Sequence, residues 1–167
     1  PLDEVIGAFQ RALEFGTFGD TEVREQLVSF ARSLIGSDRF STEEQKRLVD
    51  FTVAELKKET AGPAADVKHW LFLGSLLNRA LGIDPQYAGE AERALMRASV
   101  LSPTKQVVYF ELAQFYLTRG NADRAIEVLR TGRLHRYNTT AGEESEAALL
   151  EAEFAAYQGS NYCIAVA

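Results

Sequence analysis

The stretch Tyr109-x-x-Leu112-Ala113-x-x-Tyr116-x-x-x-Gly120-x-x-x-x-Ala125-x-x-x-Leu129 decides the fold. Its apolar positions recur three and four residues apart, which is the spacing of one face of an α-helix. Gly120 interrupts the pattern, which then resumes. The segment therefore reads as two helices joined by a tight reversal that glycine permits. Small side chains at Ala113 and Ala125 let the two backbones approach, while Tyr109, Leu112, Tyr116 and Leu129 fill the space around them.

The preceding stretch repeats this plan. Trp70-x-x-Leu73-Gly74-x-x-Leu77 again sets a small residue between large ones, and Ala91, Leu95, Ala98 and Pro103 follow as a second helix and its end. A longer turn, Gly82 to Glu90, separates the two halves. Self-similarity between neighbouring segments marks a repeat architecture rather than an irregular bundle.

Outward from this core the same periodicity predicts about nine helices and no strand. The first covers Val5 to Leu13 and the second Thr21 to Ile35, with Thr21 as its N-cap. A third starts at the capping box Ser41-Thr42-Glu43-Glu44 and runs to Glu59, before Gly62-Pro63. The fourth spans Ala65 to Leu81, the fifth Ala88 to Leu101, the sixth Thr104 to Arg119 and the seventh Ala122 to Arg133. Thr140-Ala141-Gly142-Glu143 has capping-box spacing and opens an eighth, and a ninth begins near Asn161. Connections this short make successive helices antiparallel. The expected fold class is all-α, an α-solenoid of antiparallel helix pairs forming a single domain over 1–167.

These patterns resemble the tetratricopeptide repeat, whose first helix carries Trp-x-x-Leu-Gly-x-x-Tyr and whose second carries small residues facing it. The match is clearest over 67–104, with Leu77 at the Tyr position, and over 106–139. Residues 1–62 keep the helix-pair plan with few signature residues, and 140–167 look like a partial, truncated unit. Asp3 to Glu14 resembles a second helix lacking its first, Pro1 stands where an initiator Met would, and the chain stops at Ala165-Val166-Ala167 within an apolar pattern. The chain thus reads as a fragment of a longer protein. Ala8-Phe9-Gln10-Arg11-Ala12-Leu13, followed by Phe18 to Leu27, also resembles the soluble tail of bacterial O-antigen ligase or polymerase-like membrane proteins. That resemblance implies an extracytoplasmic accessory domain tethered to a glycan-transfer protein; a free-standing repeat protein would instead be cytoplasmic.

Composition narrows the function. A net charge of −6, with basic residues interleaved among acids, disfavours nucleic acid, which is held by clustered Lys and Arg. The single cysteine, Cys163, excludes an internal disulfide and a multi-thiolate metal site. No apolar run approaches the ~20 residues that span a bilayer, so this segment is not expected to insert in a membrane.

No catalytic constellation is evident. His69 and His135 have no second His or Cys at ligand spacing, so no metal site is expected. Glu143, Glu144 and Glu146, and Glu151 with Glu153, read as exposed helix faces rather than paired acid–base groups. Cys163 has no cationic neighbour to activate it, and Gly16-Thr17-Phe18-Gly19 lacks the Lys and the preceding strand of a phosphate loop. Asn138-Thr139-Thr140 fits a glycosylation sequon, although Thr140 also serves as a helix cap. Neither enzyme nor cofactor is implied.

What remains is binding. In the resembled family the first helix of each pair lines a concave face. Carried over position by position, that face consists of Lys68, Leu71, Ser75, Asn78 and Arg79 in one repeat, and Val107, Phe110, Gln114, Leu117 and Thr118 in the next. Its mixture of apolar area with amide and cationic groups suits a protein or extended peptide segment. The family's carboxylate-holding Lys and Asn positions are here Leu71 and Ser75, which argues against that mode and leaves Arg79 as the cationic anchor. Exposed repeat ends also invite stacking between chains.

Overall fold

A computed structural model describes residues 2–16, 19–62 and 65–132. Its helices are α1 (Leu2–Glu14), α2 (Asp20–Leu34), α3 (Thr42–Ala61), α4 (Val67–Arg79), α5 (Ala88–Leu101), α6 (Gln106–Thr118) and α7 (Ala122–Thr131). Two 3-10 turns, Ala80–Gly82 and Pro85–Tyr87, connect α4 to α5. Among the described residues there is no strand, and the fold is all-α. The expected eighth and ninth helices, His135, Asn138, Cys163 and the acidic groups from Glu143 to Glu153 lie outside the described residues.

Local chemistry sets the helix ends. Ser41 caps α3 by the expected reciprocal box: its Oγ accepts from the Glu44 N–H at 3.2 Å, and Glu44 Oε2 accepts from the Ser41 N–H at 2.9 Å. Asp66 caps α4 in the same way, with an imidazole replacing the usual Glu or Gln: His69 Nδ1 accepts from the Asp66 N–H at 3.2 Å. Helix α4 consequently begins at Val67, two residues after the expected start. Helix α6 also begins two residues late, because the Lys105 N–H donates to Ser102 O in a turn after α5. Gly120 has φ of 73°, the left-handed conformation its place between α6 and α7 requires. Asn121 then caps α7, its Oδ1 accepting from the Arg124 N–H at 3.1 Å.

One expected cap is overturned. Thr21 lies inside the first turn of α2, where Gly19 holds the cap position without a side-chain bond. The Thr21 hydroxyl instead donates across to Glu59 Oε1 of α3 at 3.2 Å, a tertiary bond that local spacing does not reveal.

Each helix packs on its successor, and α4 also touches α2 and α6. The core runs continuously through Leu27, Leu48, Leu56, Leu73, Leu76, Leu77, Leu95, Val108, Leu112 and Phe115. The small residues lie where the repeat pattern sets them, with Ala91, Ala98, Ala113 and Ala125 all buried. Gly74 marks a close approach of α4 to α5: a Cβ there would lie 2.6 Å from Leu95 Cγ and 3.1 Å from the Leu95 backbone nitrogen. Trp70, the large residue heading this motif, is only half-buried against the core.

Polar ties connect the helices at specific points. Arg24 of α2 meets Glu59 near the end of α3 at 2.7 Å, and the Glu59 carboxylate also accepts from His69 Nε2 of α4 at 2.7 Å. All three side chains are largely buried, which makes the cluster costly to break one member at a time. Early α2 and early α4 are joined by Glu25 and Lys68. Glu92 at the start of α5 accepts from the Tyr116 hydroxyl near the end of α6 at 2.7 Å. The long turn after α4 is held to α3 by Lys46, which donates to Asp84, and by the Tyr87 hydroxyl, which donates to Asp50. Burial above all, with the bond to Asp50, pushes the Tyr87 phenol up to about 12.

Two outcomes are expected. Gly74→Ala should lose about 1–3 kcal/mol in urea unfolding through overpacking against Leu95. Gly82→Ala, whose added Cβ meets nothing within 4 Å, should unfold at the same midpoint or slightly above it. The second outcome concerns pH. The Asp84 carboxyl is held below its ordinary value, first by the Lys46 hydrogen bond and then by the Gln86 backbone N–H. A carboxyl depressed in the folded state contributes stability above its unfolded pKa, and that contribution disappears as pH falls through the folded value. Stability should therefore decline on acidification below about pH 4, and Asp84→Asn should shrink the difference between urea midpoints at neutral and acid pH.

Candidate functional site

Helices α4 and α6 each present one face to a common opening. On α4 and the turn after it the face is Ser75, Asn78, Arg79 and Gly82; on α6 it is Val107, Phe110, Glu111, Gln114 and Thr118. Both sets advance by three and four residues, so each is a single stripe along its helix. With Arg32 of α2 and Leu81 they line an open cavity of about 490 Å³.

The floor is hydrogen-bonded. Ser75 Oγ donates to Glu111 Oε1 at 2.9 Å, and Arg32 Nη2 stands 4.0 Å from the same oxygen. Asn78 Nδ2 makes a long bond, 3.4 Å, to the Glu111 carbonyl. Asn78 is 7% exposed, yet its carboxamide oxygen has no donor from the protein. A buried acceptor left unpaired costs about 1–3 kcal/mol, so this oxygen is a place where a donor from elsewhere would be stabilising. The rim is apolar: Phe110 is 54% and Val107 42% exposed, unusual for side chains of that size.

Charge in the cavity opposes that of the chain. Its walls carry two arginines, Arg32 and Arg79, against one carboxylate, Glu111, in a protein of net charge −6. Ser75 already engages Glu111, and Arg79 has no ion pair among the described residues.

Seven of the ten groove residues expected from sequence thus converge: Ser75, Asn78, Arg79, Val107, Phe110, Gln114 and Thr118. Three do not line the cavity. Lys68 is paired with Glu25, which raises its pKa, and lies over the Phe72 ring at 5.7 Å. Leu71 is buried as packing, at 8% exposure. Leu117 is exposed, two helical turns past Phe110, but lies outside the cavity lining. Glu111 and Arg32 are the members that sequence reasoning missed. Glu111 was findable, since it continues the Val107 stripe by one helical turn. Arg32 belongs to the segment without repeat signatures, where no register could be assigned.

Other candidate chemistry resolves into structure. His69 holds a helix cap and Glu59 together, and Tyr109 and Tyr116 are buried with their hydroxyls bonded to Pro103 O and Glu92. Among the described residues no three His, Cys, Asp or Glu side chains are grouped to hold a metal ion, and no helix is long and apolar enough to cross a membrane. None of residues 8–13 and 19–27, the described part of the segments expected to resemble O-antigen ligase tails, lines the cavity. Comparison with protein-family models, curated proteins and solved structures gives no match to this chain.

Ser75→Ala is expected to lose about 1–2 kcal/mol of stability, because it removes a buried hydrogen bond to a carboxylate. Gln114→Ala, on the open rim, should stay within about 0.5 kcal/mol of the parent. Chemical denaturation of the two variants side by side measures both.

Proposed function

We propose that the chain is a non-catalytic binding scaffold of the tetratricopeptide-repeat type, in which antiparallel helix pairs stack as a solenoid and a protein or extended peptide segment lies on the face formed by α2, α4 and α6. The observation that carries this reading is the convergence of stripes from α4 and α6 on one open, apolar-rimmed cavity. A cavity of this size takes a few side chains of a longer guest rather than a large cofactor.

The direction of the helices supports the stacking. Arg24 early in α2 meets Glu59 late in α3, Glu92 early in α5 meets Tyr116 late in α6, and Tyr109 early in α6 packs at Gly132 just past α7. These three contacts fit neighbours that run in opposite senses. A common sense for α2 and α4 fits the pairing of Glu25, in the first half of α2, with Lys68 at the start of α4. Pairs α2–α3, α4–α5 and α6–α7 with their first helices in one row are what a helix-pair repeat predicts.

Selection of peptides from a displayed random library against the purified protein tests the reading. Enriched peptides should lose at least about tenfold in affinity to Phe110→Asp, since burying such a ring contributes about 1.5–3 kcal/mol. Peptides that bind Phe110→Asp as tightly as the parent would place recognition on another surface and refute the groove.

A further inference from the structure

We infer that the guest of this groove is an acidic segment, with an aspartate or glutamate side chain seated on Arg79 and a neighbouring apolar side chain against Phe110 and Val107. The inference rests on the binding reading above and names the chemistry of its partner.

Three features point the same way. The Arg79 guanidinium is exposed in the cavity wall with no ion pair among the described residues, so its donors are available to an incoming oxyanion. Arg32 adds a second positive charge whose nearest carboxylate, at 4.0 Å, is already held by Ser75. Asn78 brings a nine-tenths-buried carboxamide whose oxygen is unpartnered and whose nitrogen is held only by a 3.4 Å bond. So weak a bond lets the carboxamide turn its oxygen toward a backbone N–H of the guest.

The balance of charge selects among anions. Two arginines and Glu111 leave one positive charge, which a single carboxylate neutralises. A phosphate carries close to two negative charges and would add repulsion from Glu111. Elsewhere the chain is acidic overall, so a guest with several carboxylates is repelled from the general surface and accepted here, which confers position as well as affinity.

The test uses short fluorescein-labelled peptides of alternating Asp and Leu, with counterparts in which every Asp becomes Asn or phosphoserine, read by fluorescence anisotropy on the purified protein. The Asp–Leu peptide should bind at least about tenfold more tightly than its Asn counterpart, a difference of about 1.4 kcal/mol. Arg79→Gln should erase most of that difference and flatten its salt dependence, while Glu111→Gln should tighten binding. Circular dichroism establishes that each variant is folded. If the Asn peptide binds as well as the Asp peptide and both are lost in Phe110→Asp, the groove stands and the acidic preference falls. If Asp–Leu binding survives both Phe110→Asp and Arg79→Gln, the groove itself is wrong. Tighter binding of the phosphoserine peptide, or no binding of any peptide, overturns the carboxylate assignment.

Discussion

The close approach of α4 to α5 at Gly74 governs the arrangement of the other helices. With no Cβ at this position, Leu95 seats its side chain directly on the α4 backbone. That contact brings α4 deep enough into the chain to touch α2, α3, α5 and α6. Interiors pack near crystalline density and relax little around an added atom. A displacement of α4 would therefore reach most of the core at once, and would separate the α4 stripe from its α6 counterpart. The same device recurs at Gly132, where a Cβ would lie 2.5 Å from Tyr109 Cγ.

Around this apolar contact, polar groups determine which surfaces meet. The Arg24–Glu59–His69 cluster links three helices, and its burial makes it a constraint on register more than a source of net stability. Beside the cluster, Arg24 Nε and Glu55 Oε2 form an ion pair at 3.5 Å in which neither atom makes a hydrogen bond. The outer pairs, such as Arg124 with Glu127, are exposed and contribute little. The ties on Asp84 and Tyr87 differ from these because they hold an irregular turn to α3, where no helical ladder satisfies the backbone.

The parts of the structure legible in the sequence were those written in local spacing. The Ser41 capping box, the Gly120 reversal, the start and end of α5, and the burial of Leu73, Gly74, Leu77, Ala91, Leu95 and Ala98 all follow from residues within one or two helical turns of each other. Failures came where a side chain chose a distant partner over a near one. The Thr21 hydroxyl left the expected cap for Glu59, and Lys68 left the groove for Glu25. His69 capped its own helix, a role for which imidazole gives no familiar pattern. In the groove, the α4 and α6 stripes could be read because each is a single helical period. The contribution of Arg32 could not, since it depends on how α2 is laid against α4.

Both cavity arginines occupy the last turns of their helices, Arg32 in α2 and Arg79 in α4. The final carbonyls of a helix lack intrahelical donors and confer a partial negative charge, which favours a cation there. Two guanidiniums can accordingly be gathered at one opening with less mutual repulsion than they would meet in mid-helix. The peptide dipoles of the scaffold thus supply a share of the compensation that further acidic side chains would otherwise provide. An acidic protein keeps, at the ends of two of its helices, one local field of reversed sign.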